Sequence, residues 1–201
     1  MAKPLNFPLT LVSLMMPVFR PKRQVGSSQR AKKMVRAVPA DQTAKLRGVF
    51  ARALPKRVLS EKTRLSFYQN IEGKTFASAI RQGTLGKKSF DVTVYSIENN
   101  NSKVRASGAM RVEGNSLYIY DVNPGGKFWN RDYSGPKPSG KGRFLFRVFV
   151  EEAIRNARKL GLSRVTLDAG SEKLVSYYSE FGFRFKFDRK TGMWPGTLGL
   201  K

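Results

Sequence analysis

The chain has 201 residues, and its 38 Lys and Arg against 14 Asp and Glu give a formal net charge of +24. It contains no cysteine and no histidine, which excludes thiol nucleophiles, disulfides, imidazole bases and the common zinc sites, so no metal centre is expected. The length suits one domain plus an extension, and the charge favours a polyanionic partner: RNA, DNA, an acidic protein or an anionic membrane face.

Residues 1–33 hold no acid and carry Lys3, Arg20, Lys22, Arg23, Arg30, Lys32 and Lys33. The apolar run Leu9–Phe19 contains Pro17 and falls well short of the roughly 20 residues a membrane helix needs. It also lacks the small-residue cleavage site of a secretory signal. The composition favours a flexible basic arm that contacts nucleic acid through Arg20, Lys22, Arg23, Arg30, Lys32 and Lys33. An organelle presequence or an export leader stands as the alternative use of the same residues. With the arm on nucleic acid, the protein belongs in the cytoplasm or wherever that nucleic acid lies. Residues 1–65 hold 15 basic and two acidic residues, so positive charge is densest toward the N-terminus.

A domain is expected over residues 34–201. Met34–Val38 reads as a first strand. A helix then starts at Pro39-Ala40-Asp41, with Asp41 in the first turn where negative charge is favoured. Leu46, Val49, Phe50, Ala53 and Leu54 recur at helical spacing until Pro55 stops the helix. Ser60–Thr63 resembles the cap of a second helix, with Leu65, Tyr68 and Ile71 as its stripe, and Gly73 divides this segment from Phe76–Arg81. The period then changes to two. Ser89–Ile97, Lys103–Val112 and Ser116–Val122 read as three strands of an antiparallel meander, with turns at Asn99–Ser102 and Glu113–Asn115.

The loop Asn123–Lys137 is rich in Gly, Pro and Asn and interleaves Phe128, Trp129 and Tyr133 with Lys127 and Arg131. Such rings stack on bases while the cations pair with phosphates; the alternative is that one or two of them fold back on the core. A long helix spans Arg143–Leu160. Its apolar face holds Leu145, Phe146, Phe149, Val150, Ala153, Ile154, Ala157 and Leu160, with Glu151, Glu152, Arg155, Arg158 and Lys159 placed mostly outside that face. Gly161 closes it. Ser163–Ala169 alternates as a strand, Ser171 caps a further helix that closes at Gly182, and Phe183, Phe185 and Phe187 alternate with Arg184, Lys186 and Asp188 as a strand with one face on a core. The final segment, with Trp194-Pro195-Gly196, reads as a hairpin arm whose last strand is short or distorted.

At several places this order carries motifs. Met34-Val-Arg-Ala-Val-Pro-Ala-Asp41 forms a strand and helix start, and Leu117-Tyr-Ile-Tyr-Asp-Val122-Asn-Pro124 is a strand ending in Val-x-Pro. Lys137-Pro-Ser-Gly140-Lys141-Gly142 is a glycine turn at a helix start, and Tyr177-Tyr178-Ser-Glu-Phe181-Gly182-Phe183 follows in the next helix. Together they resemble the GNAT superfamily of acetyl-CoA-dependent N-acetyltransferases over about Met34 to Asp188. The resemblance implies an α/β fold with a mixed sheet, a GNAT-like acyl-CoA N-acyltransferase domain preceded by the basic extension.

In such enzymes two central strands splay apart and the pantetheine arm of acetyl-CoA enters between them. The resemblance assigns the pyrophosphate turn to Lys137, Gly140, Lys141, Gly142 and Arg143. It gives backbone contacts to Asp121–Val122, a side-chain contact to Ser171, and protonation of the leaving thiolate to Tyr178. Asp121, with Glu113 behind it, is the candidate base for the acceptor amine. The sequence departs from the pattern at Lys137, at Pro138, in the longer loop before them, and at Ser171 and Leu174, where many members have Asn and Ala. Three functions remain open. One is an N-acetyltransferase acting on an amine of an acidic or nucleic-acid-associated substrate. Another is a non-catalytic GNAT-like nucleic-acid-binding or assembly protein, and the third is a targeted effector addressed by residues 1–33.

Overall fold

The computed structural model describes residues 36–60, 62–83, 88–123 and 141–200. A nine-stranded mixed sheet in the order β1-β2-β3-β4-β5-β6-β7-β9-β8 runs through the molecule. Its strands are β1 (Arg36–Ala37), β2 (Arg64–Gln69), β3 (Thr75–Gln82), β4 (Ser89–Glu98), β5 (Asn101–Glu113), β6 (Ser116–Asn123), β7 (Arg164–Ala169), β8 (Arg184–Phe185) and β9 (Trp194–Gly199). Among the described residues three α-helices accompany it: α1 (Ala40–Ala53), α2 (Lys141–Lys159) and α3 (Glu172–Ser179). All neighbouring strands are antiparallel except β6 and β7, which α2 joins as a parallel pair. The expected mixed α/β sheet is therefore present.

One face of the sheet is covered by α2 and α3. Tyr68, Ile80, Val92, Val94, Met110, Leu117, Ile119, Val165 and Leu167 meet Leu145, Phe146, Phe149, Val150 and Ala153 there. On the other face α1 packs Phe50 and Leu54 on Phe67, Ala77, Ala79 and Tyr95. The second helix expected after Ser60 does not form. Residues 64–69 are strand β2, and Phe76–Arg81 belong to β3. The reason is that β2 is covered on both sides: Leu65 and Phe67 face α1 while Tyr68 faces α2, so the polar-apolar alternation of a half-exposed strand is lost. Ile71, assigned to the helical stripe, is 77% exposed in the turn to β3. There Asn70 Oδ1 accepts from the backbone N–H groups of Glu72 and Lys74, and Gly73 takes φ +75°. The meander is accordingly five strands long, β2 to β6, with the last three at their expected places.

The long helix forms as its periodicity dictates and ends at Gly161, which adopts φ +69°. One residue departs from the expected pattern. Glu152, placed outside the apolar face, is fully buried (0% exposed). Its carboxylate accepts from the Tyr68 hydroxyl at 2.8 Å and from the Arg64 guanidinium at 2.9 Å, and Arg155 lies 3.6 Å away. Charge compensation from β2, invisible along the helix sequence, makes this burial tolerable. The expected strand over Phe183–Asp188 shortens to Arg184–Phe185, with a single further bridge between Asp188 and Met193. The final strand is a full six residues, paired on both sides. No helix among the described residues is long and apolar enough to cross a membrane.

Candidate active site at the parting of two strands

The sheet opens between β6 and β7. Only three rungs join them, Ser116 with Arg164, Leu117 with Val165 and Tyr118 with Thr166. Beyond the last rung β7 continues its ladder with β9 to Ala169, and β6 continues its ladder with β5 to Asn123, but the two strands no longer pair with each other. A bulge accounts for the divergence. Met110 pairs with Ile119 and Ala109 with Asp121, so Tyr120 is an extra residue in β6, and such an insertion bends its strand. Close approach on the other side supports the bend. At Gly108, which pairs with Val122, an added Cβ would lie 2.4 Å from the Asp121 carbonyl and 2.7 Å from the Phe149 ring.

The parting leaves a row of β6 backbone groups, from Ile119 onward, turned toward β7 without a ladder partner there. Such an edge is a template for an extended chain. Asp121 and Val122 lie along it. Val122 is half-buried against the core, whereas Asp121 is exposed and has no ion-pair partner among the described residues. Glu113, the other carboxylate considered, sits at the closed end of the same strands, ion-paired with Arg111 at 2.6 Å.

Helix α2 starts on the side where the strands part: its far end at Lys159 leads into β7 at the paired end, while its Gly142 meets Tyr177 of α3, which follows the parted end of β7. Lys141 is its first residue and Gly142 is buried. Its first turn carries no acid. The N–H groups that a helix start leaves without intrahelical partners, together with the helix dipole, make such an end favourable for an anion. Helix α3 fixes its position: the Tyr177 hydroxyl donates to the Gly142 carbonyl at 3.4 Å, and Arg143 pairs with Glu180 at 3.0 Å. Tyr178, on the same helix, stacks on Phe146 with centroids 4.8 Å apart. Its hydroxyl has no hydrogen-bond partner among the described residues, and burial pushes its phenol up to about 12.

Two expected cofactor contacts are engaged elsewhere. The Ser171 hydroxyl accepts from the Leu174 backbone N–H at 3.3 Å as the N-cap of α3, and the Arg143 charge is shared with Glu180. Lys137, Gly140, Lys127 and Arg131 lie outside the described residues, as do Arg20, Lys22, Arg23, Arg30, Lys32 and Lys33. So does the whole of the expected extension.

A pair that the sequence does not reveal bridges the two strands. The Tyr118 hydroxyl donates to Asp168 Oδ2 at 2.9 Å, from the last paired residue of β6 to a β7 residue beyond the rungs. Burial, followed by this bond to a carboxylate, raises the Tyr118 phenol to about 12. Tyr120 stacks beside Tyr118, and the Arg111 guanidinium lies over both rings at 5.4 and 5.6 Å. The only hint in the sequence is the alternation Tyr118-Ile119-Tyr120. Its partners lie 50 residues away for Asp168 and on another strand for Arg111.

No protein-family model and no curated protein sequence matches the chain. Among solved structures it is similar to an acetyltransferase from Bacillus subtilis in complex with CoA, at 17% identity over 57% of this chain and 79% of that one, with a TM-score of 0.42. It is similar to the PaiA N-acetyltransferase from Thermoplasma acidophilum in complex with coenzyme A, at 12% identity over 56% of this chain and 61% of that one, TM-score 0.39. It is also similar to the ribosomal-protein-S18-alanine N-acetyltransferase from Escherichia coli, at 13% identity over 84% and 94% of the two chains, TM-score 0.36.

Proposed function

We propose that this chain is an acetyl-CoA-dependent N-acetyltransferase that transfers acetyl by direct attack to an amine of an acidic or nucleic-acid-associated substrate. The observation that carries the reading is the parting of β6 and β7 beside the start of α2, which sets an unpaired strand edge next to an anion-favouring helix terminus. Those are the two surfaces that the pantetheine arm and the diphosphate of CoA require. Acetyl-CoA, when bound, supplies an activated thioester.

The chain's own residues divide the remaining work. Lys141 and the α2 terminus with Gly142 receive the diphosphate, together with Lys137 and Gly140, which precede them in the sequence. The β6 edge at Asp121–Val122 aligns the arm and donates to the acyl oxygen. Asp121, exposed and without an ion-pair partner among the described residues, accepts a proton from the acceptor ammonium so that the neutral amine attacks. Tyr178 holds the proton for the departing sulfur. With its phenol pushed up to about 12, it stays protonated at neutral pH. The second proton of the amine leaves to solvent as the amide forms.

The alternative, a non-catalytic nucleic-acid-binding or assembly protein on the same fold, is favoured by one observation: Ser171 and Arg143 are already occupied within the protein. Calorimetric titration with acetyl-CoA separates the two. Binding is expected, and Gly142→Asp is expected to weaken it by about tenfold or more by placing a carboxylate at the helix start. Absence of binding at millimolar acetyl-CoA overturns the enzyme reading. The acceptor class is then tested by thiol release, which is free of background because the chain has no cysteine. An aminoacyl-tRNA is expected to support release better than spermidine.

A further inference from the structure

The hairpin that leads from β8 to β9 is not used by the chemistry above, and it combines an exposed aromatic ring with four exposed cations. Phe187 is 47% exposed, and its ring leans on Trp194 with centroids 4.7 Å apart. Arg184, within β8, and Lys186, just after it, are both exposed. Arg189 and Lys190 occupy the tip. None of these four cations pairs with a carboxylate among the described residues, although nine ion pairs form elsewhere among them. The one acid of the hairpin, Asp188, is committed to the turn, accepting from the Lys190 N–H at 2.9 Å and from the Thr191 hydroxyl at 3.1 Å. β8 is the outermost strand of the sheet, so among the described residues no further strand pairs with its outer edge. Trp194 pairs with Ala169, the last residue of β7, which places the hairpin beside the strand that borders the parting.

We infer that this hairpin is a docking platform for single-stranded nucleic acid. A base stacks on Phe187, which Trp194 backs, and the phosphates follow Arg184, Lys186, Arg189 and Lys190. An exposed ring gives the platform a preference for bases that a simple cationic patch lacks, since every base offers a face to stack and a bare polyanion offers none. The inference deepens the proposed function by giving the class of its anionic partner, and rests on that reading only for what happens at the neighbouring site.

The chain has two tryptophans, Trp129 and Trp194, so Trp129→Phe leaves Trp194 as the sole indole reporter. Titrating that variant with an oligothymidylate of about 15 nucleotides, near the upper site size of a single-strand-binding module, is expected to quench Trp194 fluorescence saturably in the absence of acetyl-CoA. Adding Phe187→Ala is expected to weaken binding by about fivefold or more with an unchanged salt slope. Replacing Arg189 and Lys190 by alanine is expected to lower the log–log salt slope by about 0.7 for each phosphate no longer neutralised. Lack of quenching overturns the inference, as does affinity that Phe187→Ala leaves unchanged. Equal quenching by inorganic polyphosphate of matched charge also overturns it, since that reports a polyanion patch and not base stacking. Because no cofactor is present, these outcomes are independent of the calorimetric result for acetyl-CoA.

Discussion

Glu152 is the residue whose environment differs most from its chemistry. Removing a carboxylate that two donors from β2 converge on leaves the Tyr68 hydroxyl and the Arg64 guanidinium without it, and the Arg64 Nε is already buried without a partner. Arg64 is one-third exposed and recovers part of its loss from water. Glu152→Ala is therefore expected to destabilise the fold by about 3 kcal/mol, near the lower bound for breaking a buried pair, as read from urea denaturation. Glu152→Gln, which keeps an acceptor oxygen, is expected to cost less. A loss below about 0.5 kcal/mol for the alanine variant would mean that the network is solvated in solution.

Between elements, the consequential feature is how β6 and β7 separate while remaining tied. The bulge at Tyr120 and the tight approach at Gly108 bend one strand away, and the Tyr118–Asp168 bond holds the two together just at the fork. That bond has a titration signature. Burial raises the Tyr118 phenol first, and the carboxylate raises it further, because ionising Tyr118 would set two negative charges against each other and break the bond. Asp168→Asn removes the charge but keeps an acceptor, so the Tyr118 midpoint is expected to fall from about 12 toward the ordinary tyrosine value. Ultraviolet titration of the phenolate reads it, with Tyr118→Phe identifying the transition. The linked stability follows in sign. Between the ordinary tyrosine pKa and about 12 the unfolded state has lost a proton that the folded state keeps, so stability falls with rising pH in that window. The Asp168→Asn variant is expected to lose less of it there. An unchanged midpoint would separate Tyr118 from Asp168 in solution.

Across the whole molecule, a formal net charge of +24 dominates behaviour at long range. Self-repulsion of that size opposes compaction, and salt screens it over about 8 Å at physiological ionic strength. The melting temperature is expected to rise when sodium chloride is raised from about 50 to 500 mM, a range over which this screening strengthens. A fall would show that local ion pairs outweigh the repulsion.

The elements that the sequence determined by itself are those whose signals are local. The period-two runs of β4, β5 and β6, the stripe and Gly161 cap of α2, and the serine cap of α3 all follow from side chains a few residues apart. The order of motifs was equally legible, and with it the region of the candidate site. Only the tertiary structure decided that residues 64–69 are a strand and not a helix, since burial on two faces erases alternation. It alone decided that Glu152 lies inside, that Ser171 spends its hydroxyl on a cap, and that Tyr118 meets Asp168 across 50 residues. It also gathered Phe187, Trp194 and four cations without carboxylate partners among the described residues onto one edge. The physical reason is common to these cases: charge compensation, two-sided burial and strand divergence depend on partners distant in the chain, which the pattern of neighbours does not carry.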